Sequence, residues 1–277
     1  MNHDSIAFKA WVGLCRRWPF IRGRDRFMRI SISNPRIRQR LLARSEWVRT
    51  REGFEMKVGP EFDYTSFMLR LFGNLEPKTG SFILSNMKAG ETFLDIGSNV
   101  GYFALLVASQ VTQAQVVAFE PNPPVELCLS ESVEKNGLGD RMKVVRKAVS
   151  NKVGTVSFAV DTINSGHSRI ATGETGADLI QVDAVIFDEW VKAHPLASRV
   201  GCIKMDVEGA EVLALKGMPE LLAQHRPALC IEGYDNQLAE FGSSLAELRQ
   251  LLMDAGYVEV APFDGNLYLQ HRNAVGI

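Results

Sequence analysis

Residues 95–101, DIGSNVG, are the run best suited to hold a charged ligand, and they follow the apolar run 92–96. Gly97 and Gly101 are four residues apart, which matches neither the G-x-G-x-x-G dinucleotide motif nor a phosphate-binding loop ending in Lys-Ser/Thr. Glycines let the backbone approach a ligand closely, and the N-terminus of a following helix favours a carboxylate. Asp95 can receive an ammonium, directly or through water. The loop therefore predicts an amino-acid ligand, and an ordinary strand-to-helix turn is the alternative.

Glu120 ends the next apolar run, 115–120, twenty-five residues after Asp95. A carboxylate at the end of a second strand can accept hydrogen bonds from the 2′ and 3′ hydroxyls of a ribose, as in dinucleotide-binding folds. Pro121 and Asn122 then shape the loop beside the sugar. An amino acid joined to a ribose indicates S-adenosylmethionine. The alternative for Glu120 alone is a solvated charge at a strand end.

A third polar cluster follows the apolar run 201–205, in the segment KMDVEGAE. Lys204 and Asp206 point the same way on an extended strand, so they can pair and face one site. We expect Asp206 to be the catalytic base or a metal ligand. Glu208 and Glu211 begin the next helix, where negative charge is favourable in any protein. Glu232, at the end of another strand, is a second candidate for the same pocket.

His167 lies in a polar loop, NSGHSR, after a further strand. Histidine has a reference pKa of about 6.5, which suits proton transfer near neutral pH. We keep His167 as a catalytic candidate, and an exposed loop histidine is the alternative.

These residues belong to alternating strands and helices from residue 91 onward. The pattern predicts strands separated by helices, then a closing hairpin near Asp264–Gly265. The predicted fold is α/β, a doubly wound, mostly parallel, seven-stranded sheet with helices on both faces, a Rossmann-like fold. Ligands in such sheets bind at the carboxyl ends of the strands. The predicted strands are 92–96, 115–120, 142–146, 155–160, 180–185, 201–206, 228–232, 257–261 and 266–270.

The first part of the chain differs in charge from the rest. Residues 1–51 hold thirteen Lys or Arg against three Asp or Glu, whereas 52–277 hold eighteen against twenty-nine. We divide the chain into a basic, helical N-terminal extension, 1–58, and a main domain, 59–277. An apolar helix face carries Trp11, and Pro19 is expected to end that helix.

The basic extension allows three interpretations. We favour an arm packed on the main domain with a solvated basic face. Peripheral contact of residues 1–40 with an anionic membrane is the second, and self-association is also left open. Nucleic-acid binding is not expected, because no base-reading motif accompanies the charge.

Composition excludes several classes of protein. With 277 residues, 46% hydrophobic and 23% charged, the chain is neither disordered nor collagenous. The four cysteines form no C-x-x-C pair, which is typical of reduced thiols, and no apolar run is long enough to span a membrane. We therefore expect a cytoplasmic protein, with the inner face of the membrane as an alternative location.

The chain resembles the FkbM-type methyltransferases over about residues 48–270. The combination of DIGSNVG with DVEGAE is far more specific than either motif alone. Ser98 is a mild departure, since such proteins commonly have Ala there. The matching segments, in chain order, are FLDIGSNVGYFALL, VVAFEPNP, KAVSNKVGTVSF, IKMDVEGAEVLALKG and PALCIEGY.

The resemblance implies S-adenosylmethionine as the cofactor and O-methylation of a sugar or other natural product. It implies that the loop 95–101, including Ser98 and Asn99, holds the methionine part and that Glu120 holds the ribose. Ala148 and Val149 would lie on the adenine side. The acceptor would be a small molecule or a glycan, bound by loops such as 60–80, 161–178 and 233–243.

The expected reaction is in-line methyl transfer to an oxygen, with Asp206 or His167 as the base. Lys204 is expected to stabilise the developing oxyanion or to hold Asp206 in place. Three alternatives stay open. The first is a magnesium-assisted reaction on Asp206 with Glu208 or Glu232, although no metal is assigned in the main interpretation. The others are N-methylation and a catalytically inert binding scaffold.

Overall fold

The computed structural model describes residues 6–18, 23–42, 46–59, 64–161, 165–173 and 178–276. The basic extension begins with three helices, α1 (Ile6–Arg17), α2 (Arg24–Ser33) and α3 (Pro35–Leu42). Phe8, Val12 and Cys15, on the apolar face of α1, are buried in the main core. The face that we considered for membrane contact is therefore covered by protein. Pro19 lies outside the described residues.

A hairpin and two helices connect this extension to the main sheet. They are β1 (Trp47–Arg49), β2 (Glu55–Lys57), α4 (Tyr64–Phe72) and α5 (Pro77–Ser85). Arg16 of α1 donates to the carbonyl of Leu69 at 3.5 Å, and Arg70 of α4 donates to the carbonyl of Leu41 at 3.3 Å. Helix α5 begins at Pro77, because proline suits the first turn of a helix.

The first half of the main sheet alternates strands and helices as predicted. Its elements are β3 (Thr92–Ile96), α6 (Tyr102–Gln110), β4 (Gln115–Phe119), α7 (Pro123–Lys135) and β5 (Met142–Val145). Every residue of β3 is buried, as expected for a parallel strand covered on both faces.

A second sheet is inserted after β5. Its strands are β6 (Ala148–Val149), β7 (Gly154–Val160), β8 (Arg169–Ile170) and β9 (Asp178–Val185), in the order β6-β9-β7-β8. A single 3₁₀ turn, Ser165–His167, leads into β8. The predicted strands 155–160 and 180–185 thus pair with each other, outside the main sheet.

The second half completes the main sheet. Its elements are α8 (Phe187–Ala193), β10 (Val200–Met205), α9 (Glu211–Lys216), α10 (Pro219–His225), β11 (Ala228–Glu232), α11 (Asp235–Glu240), α12 (Leu245–Asp254), β12 (Tyr257–Glu259), β13 (Asn266–His271) and α13 (Arg272–Val275). Ser244 caps α12 by accepting the amide of Glu247 at 3.1 Å, as its sequence predicts.

The order of the main sheet is β12-β13-β11-β10-β3-β4-β5. Strand β13 runs antiparallel to its two neighbours, and the other pairings are parallel. The predicted doubly wound, seven-stranded fold is confirmed. Because the chain builds outward from β3 in both directions, the crevice for a ligand lies where β3 meets β10.

Two hydrophobic cores cover the two faces of the sheet. One contains α6 and also takes in Phe8, Leu41, Phe67 and Phe72 from the N-terminal helices. The other lies between the sheet and α9, α10 and α12. The N-terminal helices therefore share the core of the main sheet, and the boundary at residue 58 stays a prediction.

Candidate active site

A cavity of about 810 Å³ opens at the carboxyl ends of β3, β4, β10 and β11. This volume is in the usual range for small-molecule sites. Asp95, Gly101 and Asn122 do not line the cavity. The predicted site residues that do line it are Gly97, Ser98, Asn99, Glu120, Ala148, Val149, His167, Lys204, Asp206, Glu208 and Glu232.

The loop 95–101, here called the glycine loop, is held against two neighbouring strands. The amides of Gly97 and Ser98 both donate to the carbonyl of Phe119 at 3.0 Å. Gly97 has φ 74°, and a Cβ built there would overlap the backbone oxygen of Asp206. Only glycine combines that backbone with that close approach. Position 97 therefore requires glycine.

Glu120 is oriented by backbone amides at the edge of the cavity. Its two oxygens accept from Asn99 at 2.8 Å and from Asn122 at 2.9 Å. Burial raises the pKa of Glu120 to about 7, although these two hydrogen bonds act in the opposite direction. Each carboxylate oxygen has a second lone pair for a ligand hydroxyl. Asn122 lies beneath the cavity surface, and its backbone amide orients Glu120.

Asp95 does not line the cavity, so of the two routes predicted for a ligand ammonium the one through water stays a prediction. It is fully buried, and its Oδ2 accepts the amide of Ala104 at 3.0 Å in the first turn of α6. A helix N-terminus leaves amides without partners, and the end of β3 points at them. Gly101 also has a packing role, because a Cβ there would overlap Leu129 of α7.

Lys204 and Asp206 pair on the floor of the cavity. The Nζ of Lys204 lies 2.9 Å from the Oδ2 of Asp206, and the lysine side chain is only 6% exposed. Burial lowers the pKa of Lys204, but the negative charges of Asp206, Asp95 and Glu76 outweigh it and the net pKa is raised. Lys204 therefore remains an ammonium ion throughout the neutral range.

Two further carboxyl groups lie beside Asp206. Glu208 and Glu232 each place an oxygen within 4.8 Å of it and of one another. Burial, followed by repulsion from Asp206, raises the pKa of Glu208 to about 8 and that of Glu232 to about 10. Both groups therefore hold protons at neutral pH. Glu211 instead stabilises the loop, since it accepts from the amides of Val207 and Gly209 at 3.0 and 3.3 Å.

His167 approaches the cavity from the second sheet. Residues 165–170 are joined to α11 by an ion pair between Arg169 and Glu240 at 2.9 Å. The Nδ1 of His167 lies 3.7 Å from the Oδ2 of Asp161, and its side chain is 60% exposed. His167 thus lines the cavity while remaining largely in solvent.

Several lining residues were not singled out from the sequence. Glu76 has φ 28° and accepts from Thr79 at 2.9 Å and from Asn266 at 3.4 Å. Lys78 pairs with Asp264 at 2.7 Å. The turn near Asp264 was predicted, but nothing local placed it opposite α5. Of the predicted acceptor loops, residues 60–63, 162–164 and 174–177 lie outside the described residues.

Comparison with known proteins identifies the family. The sequence model described as the methyltransferase FkbM domain matches residues 95–259, more than half of the chain. The chain belongs to this family, so the resemblance seen in its motifs is confirmed.

Several of the named relatives are methyltransferases. Methyltransferase sdnD of Sordaria araneosa is 26% identical over 165 residues, covering 50% of this chain and 64% of that protein. Hexuronic acid methyltransferase AglP of Haloferax volcanii is 28% identical over 140 residues, covering 50% and 55% respectively. The chain thus matches less than two thirds of the length of either relative. The crystal structure of methyltransferase FkbM from Methylobacillus flagellatus is 18% identical, with a TM-score of 0.45, covering 75% of this chain and 55% of that chain.

The cofactor predicted from the motifs, S-adenosylmethionine, is that of the FkbM methyltransferase family to which the chain belongs. The residues present fit it, because the cavity combines a close backbone turn at Gly97 with the oriented carboxylate of Glu120. The surplus of acidic groups around Lys204 also suits a cationic ligand. No helix in the described part of the chain has both the length and the apolarity needed to cross a bilayer.

Glu120→Ala should weaken binding of both S-adenosylmethionine and S-adenosylhomocysteine. Each hydrogen bond to a charged group contributes about 1.5–3 kcal/mol, so the affinity should fall roughly ten- to hundredfold for each bond lost. Titration calorimetry measures this. Glu134→Ala removes a similar charge from the exposed side of α7 and should bind normally. Unchanged affinity in Glu120→Ala would refute the ribose assignment.

Cofactor affinity should also depend on pH. A sulfonium cation stabilises the ionised forms of Glu208 and Glu232, whose pKa values are raised to about 8 and about 10. Binding should therefore release protons and strengthen as the pH rises from about 6 to about 9, by up to about tenfold per pH unit for each proton. S-Adenosylhomocysteine has the same ribose but no sulfonium charge, so its dependence should be shallower. Calorimetry in buffers containing EDTA compares the two, and equal slopes would contradict the expectation.

Proposed function

We propose that this chain transfers the methyl group of S-adenosylmethionine to a hydroxyl oxygen of a small-molecule or glycan acceptor. The observation that supports this most directly is the Lys204–Asp206 pair, at 2.9 Å, in the same cavity as the glycine loop and Glu120. A hydroxyl needs its proton removed as it attacks, and a carboxylate held by an ammonium suits that task. The printed name of the relative AglP, a hexuronic acid methyltransferase, adds support for a sugar-type acceptor.

S-Adenosylmethionine, when bound, supplies a methyl group on a sulfonium that is already a good leaving group. The protein therefore has to position the acceptor oxygen and remove its proton. Asp206 accepts that proton in our proposal. Lys204 orients Asp206 through Oδ2 and stabilises the negative charge that develops on the acceptor oxygen.

The other ionisable groups are less suited to be the base. Burial raises the pKa values of Glu208 and Glu232, so both hold protons at neutral pH in the free protein, and Gln237 already donates to Glu208. His167 is mostly exposed and lies beside Asp161, outside the buried cluster. We therefore assign His167 to the acceptor side of the cavity, with a role as base as the alternative.

N-Methylation and a binding scaffold receive less support. A neutral amine attacks through its own lone pair and does not require a base at the moment of attack, so the buried Lys204–Asp206 pair would have no role in its activation. An inert scaffold would not need a cavity of about 810 Å³ lined by an oriented carboxylate at Glu120.

Asp206→Asn keeps the shape of the side chain and removes the charge. We expect the turnover number to fall about 10²- to 10⁴-fold, with a much smaller change in cofactor affinity. Transfer of radiolabelled methyl groups into metabolite and glycan extracts, together with calorimetry, separates the two effects. Asp140→Asn, at an exposed position, should be unaffected. Wild-type turnover in Asp206→Asn, with loss in His167→Gln, would move the base to His167.

A magnesium-assisted reaction is the second candidate, because Asp206, Glu208 and Glu232 each offer an oxygen within 4.8 Å. Carboxylate oxygens are common ligands of this ion. However, Lys204 donates to Asp206, and Gln237 donates to Glu208, so two of the three groups have protein partners. The positive charge that a metal would bring is already supplied by Lys204.

Turnover should therefore survive dialysis against EDTA. The measurement is methyl transfer before dialysis, after it, and after addition of Mg²⁺. The metal-assisted reaction would be established instead if dialysis removed the activity, Mg²⁺ restored it, and Glu208→Gln abolished the activity restored by Mg²⁺. Glu134→Gln serves as the matched control for this substitution because Glu134 is exposed on α7.

A further inference from the structure

The outward side of the N-terminal helices is strongly basic. In residues 6–18 and 23–42, Asp25 is the single acidic residue of the sequence. We call these two ranges the arm. The exposed cationic side chains of the arm are Lys9, Arg17, Arg26, Arg29, Arg36, Arg38 and Arg40. A surface with one sign of charge attracts an extended partner of the opposite sign.

Aliphatic side chains are interspersed with these cations. In α1, Ile6 is 88% exposed and Leu14 is 48% exposed, and in α2 Ile30 is 41% exposed. Ile6 and Leu14 are eight residues apart, with Arg17 three residues further on, so they share one helix face. Arg26 and Ile30 are four residues apart on the outward face of α2. Helices α1 and α2 thus each present a mixed cationic and aliphatic face.

The opposite faces of these helices are fixed to the protein. Trp11 donates from Nε1 to the Oγ of Ser31 at 2.9 Å, and its ring lies 5.5 Å from that of Phe27. Trp18 also packs edge-on against Phe27, at 5.0 Å. The helices therefore form a preorganised platform, and both tryptophans of the arm are engaged with Phe27.

We propose that the outward face of the arm docks on an anionic lipid bilayer surface. The cations match the charge of the lipid headgroups, and the exposed aliphatic side chains can enter the boundary between headgroups and acyl chains. A nucleic acid would satisfy the cations but not the aliphatic side chains. A single-stranded nucleic acid would also require exposed aromatic rings for base stacking, and Trp11 and Trp18 are packed on Phe27.

The arm is connected to one wall of the cavity by a short helix. Helix α4 contacts α1 and α3 through Leu69 and Arg70, and it begins at Tyr64, which lines the cavity. Nine helical residues span only about 13 Å, and the arm helix adds a thickness of about 10 Å. Docking would therefore tie the cavity to the membrane through two short helices.

The test is sedimentation of the full chain with vesicles of phosphatidylcholine alone or mixed with phosphatidylglycerol. We expect retention on the anionic vesicles at low salt, its loss at high salt, and none on neutral vesicles. Reversing Arg26 and Arg29 together to Glu should weaken binding by at least about 25-fold, since each basic residue near the surface contributes about fivefold. Ile6→Ser with Leu14→Ser should weaken it further.

The matched control is Lys88→Glu with Lys152→Glu, which makes the same change in net charge at exposed positions outside the arm. This variant should bind as the wild type does. Circular dichroism and melting temperature verify folding, which exposed substitutions should leave intact. Lack of retention at low salt, or equal loss in the control, would overturn the proposal. So would tight binding of single-stranded RNA that is sensitive to Arg26 and Arg29 but indifferent to Ile6 and Leu14, which would establish a nucleic-acid surface instead.

Discussion

The site depends on one close approach between two loops, at Gly97 and Asp206. The backbone oxygen of Asp206 occupies the space that a side chain at position 97 would need. The amide of Asp206 donates to the carbonyl of Ile96 at 3.0 Å, so the two loops continue the pairing of β3 with β10 beyond the sheet. The glycine loop and the loop that carries Asp206 are therefore fixed relative to each other. In-line transfer requires that fixed geometry.

The electrostatics of the site follow from burying this junction. Asp95 and Lys204 are directly opposite each other in the pairing of β3 with β10, and Asp206 follows at the strand end. Asp95 serves the N-terminus of α6, whereas Lys204 compensates the carboxylates on both sides of it. A single ammonium cannot balance the charge of every carboxyl group here, so Glu208 and Glu232 hold protons in the free protein. The carboxyl groups around Lys204 thus outnumber the cations beside them.

The sequence was sufficient for the fold and for the residues at the carboxyl ends of the strands. Strand β3 was predicted with its observed bounds, because an apolar run that ends at a glycine loop has few alternatives. The contact of Asp95 with α6 could not be predicted, because spacing does not distinguish a side chain that faces a ligand from one that faces a helix N-terminus. Glu76 and Asn266 were missed since they are 190 residues apart and meet only through the packing of α5 on the sheet.

The shared core on the arm side changes what counts as the folding unit. The family match begins at Asp95, yet Phe8, Leu41, Phe67 and Phe72 fill the same apolar layer as α6. A fragment cut at the family boundary would open that layer to water along its whole length. Such a fragment would lose solubility as well as stability. The N-terminal helices are therefore part of the core of the main sheet, and replacing their buried residues would require compensating changes in the side chains that they contact.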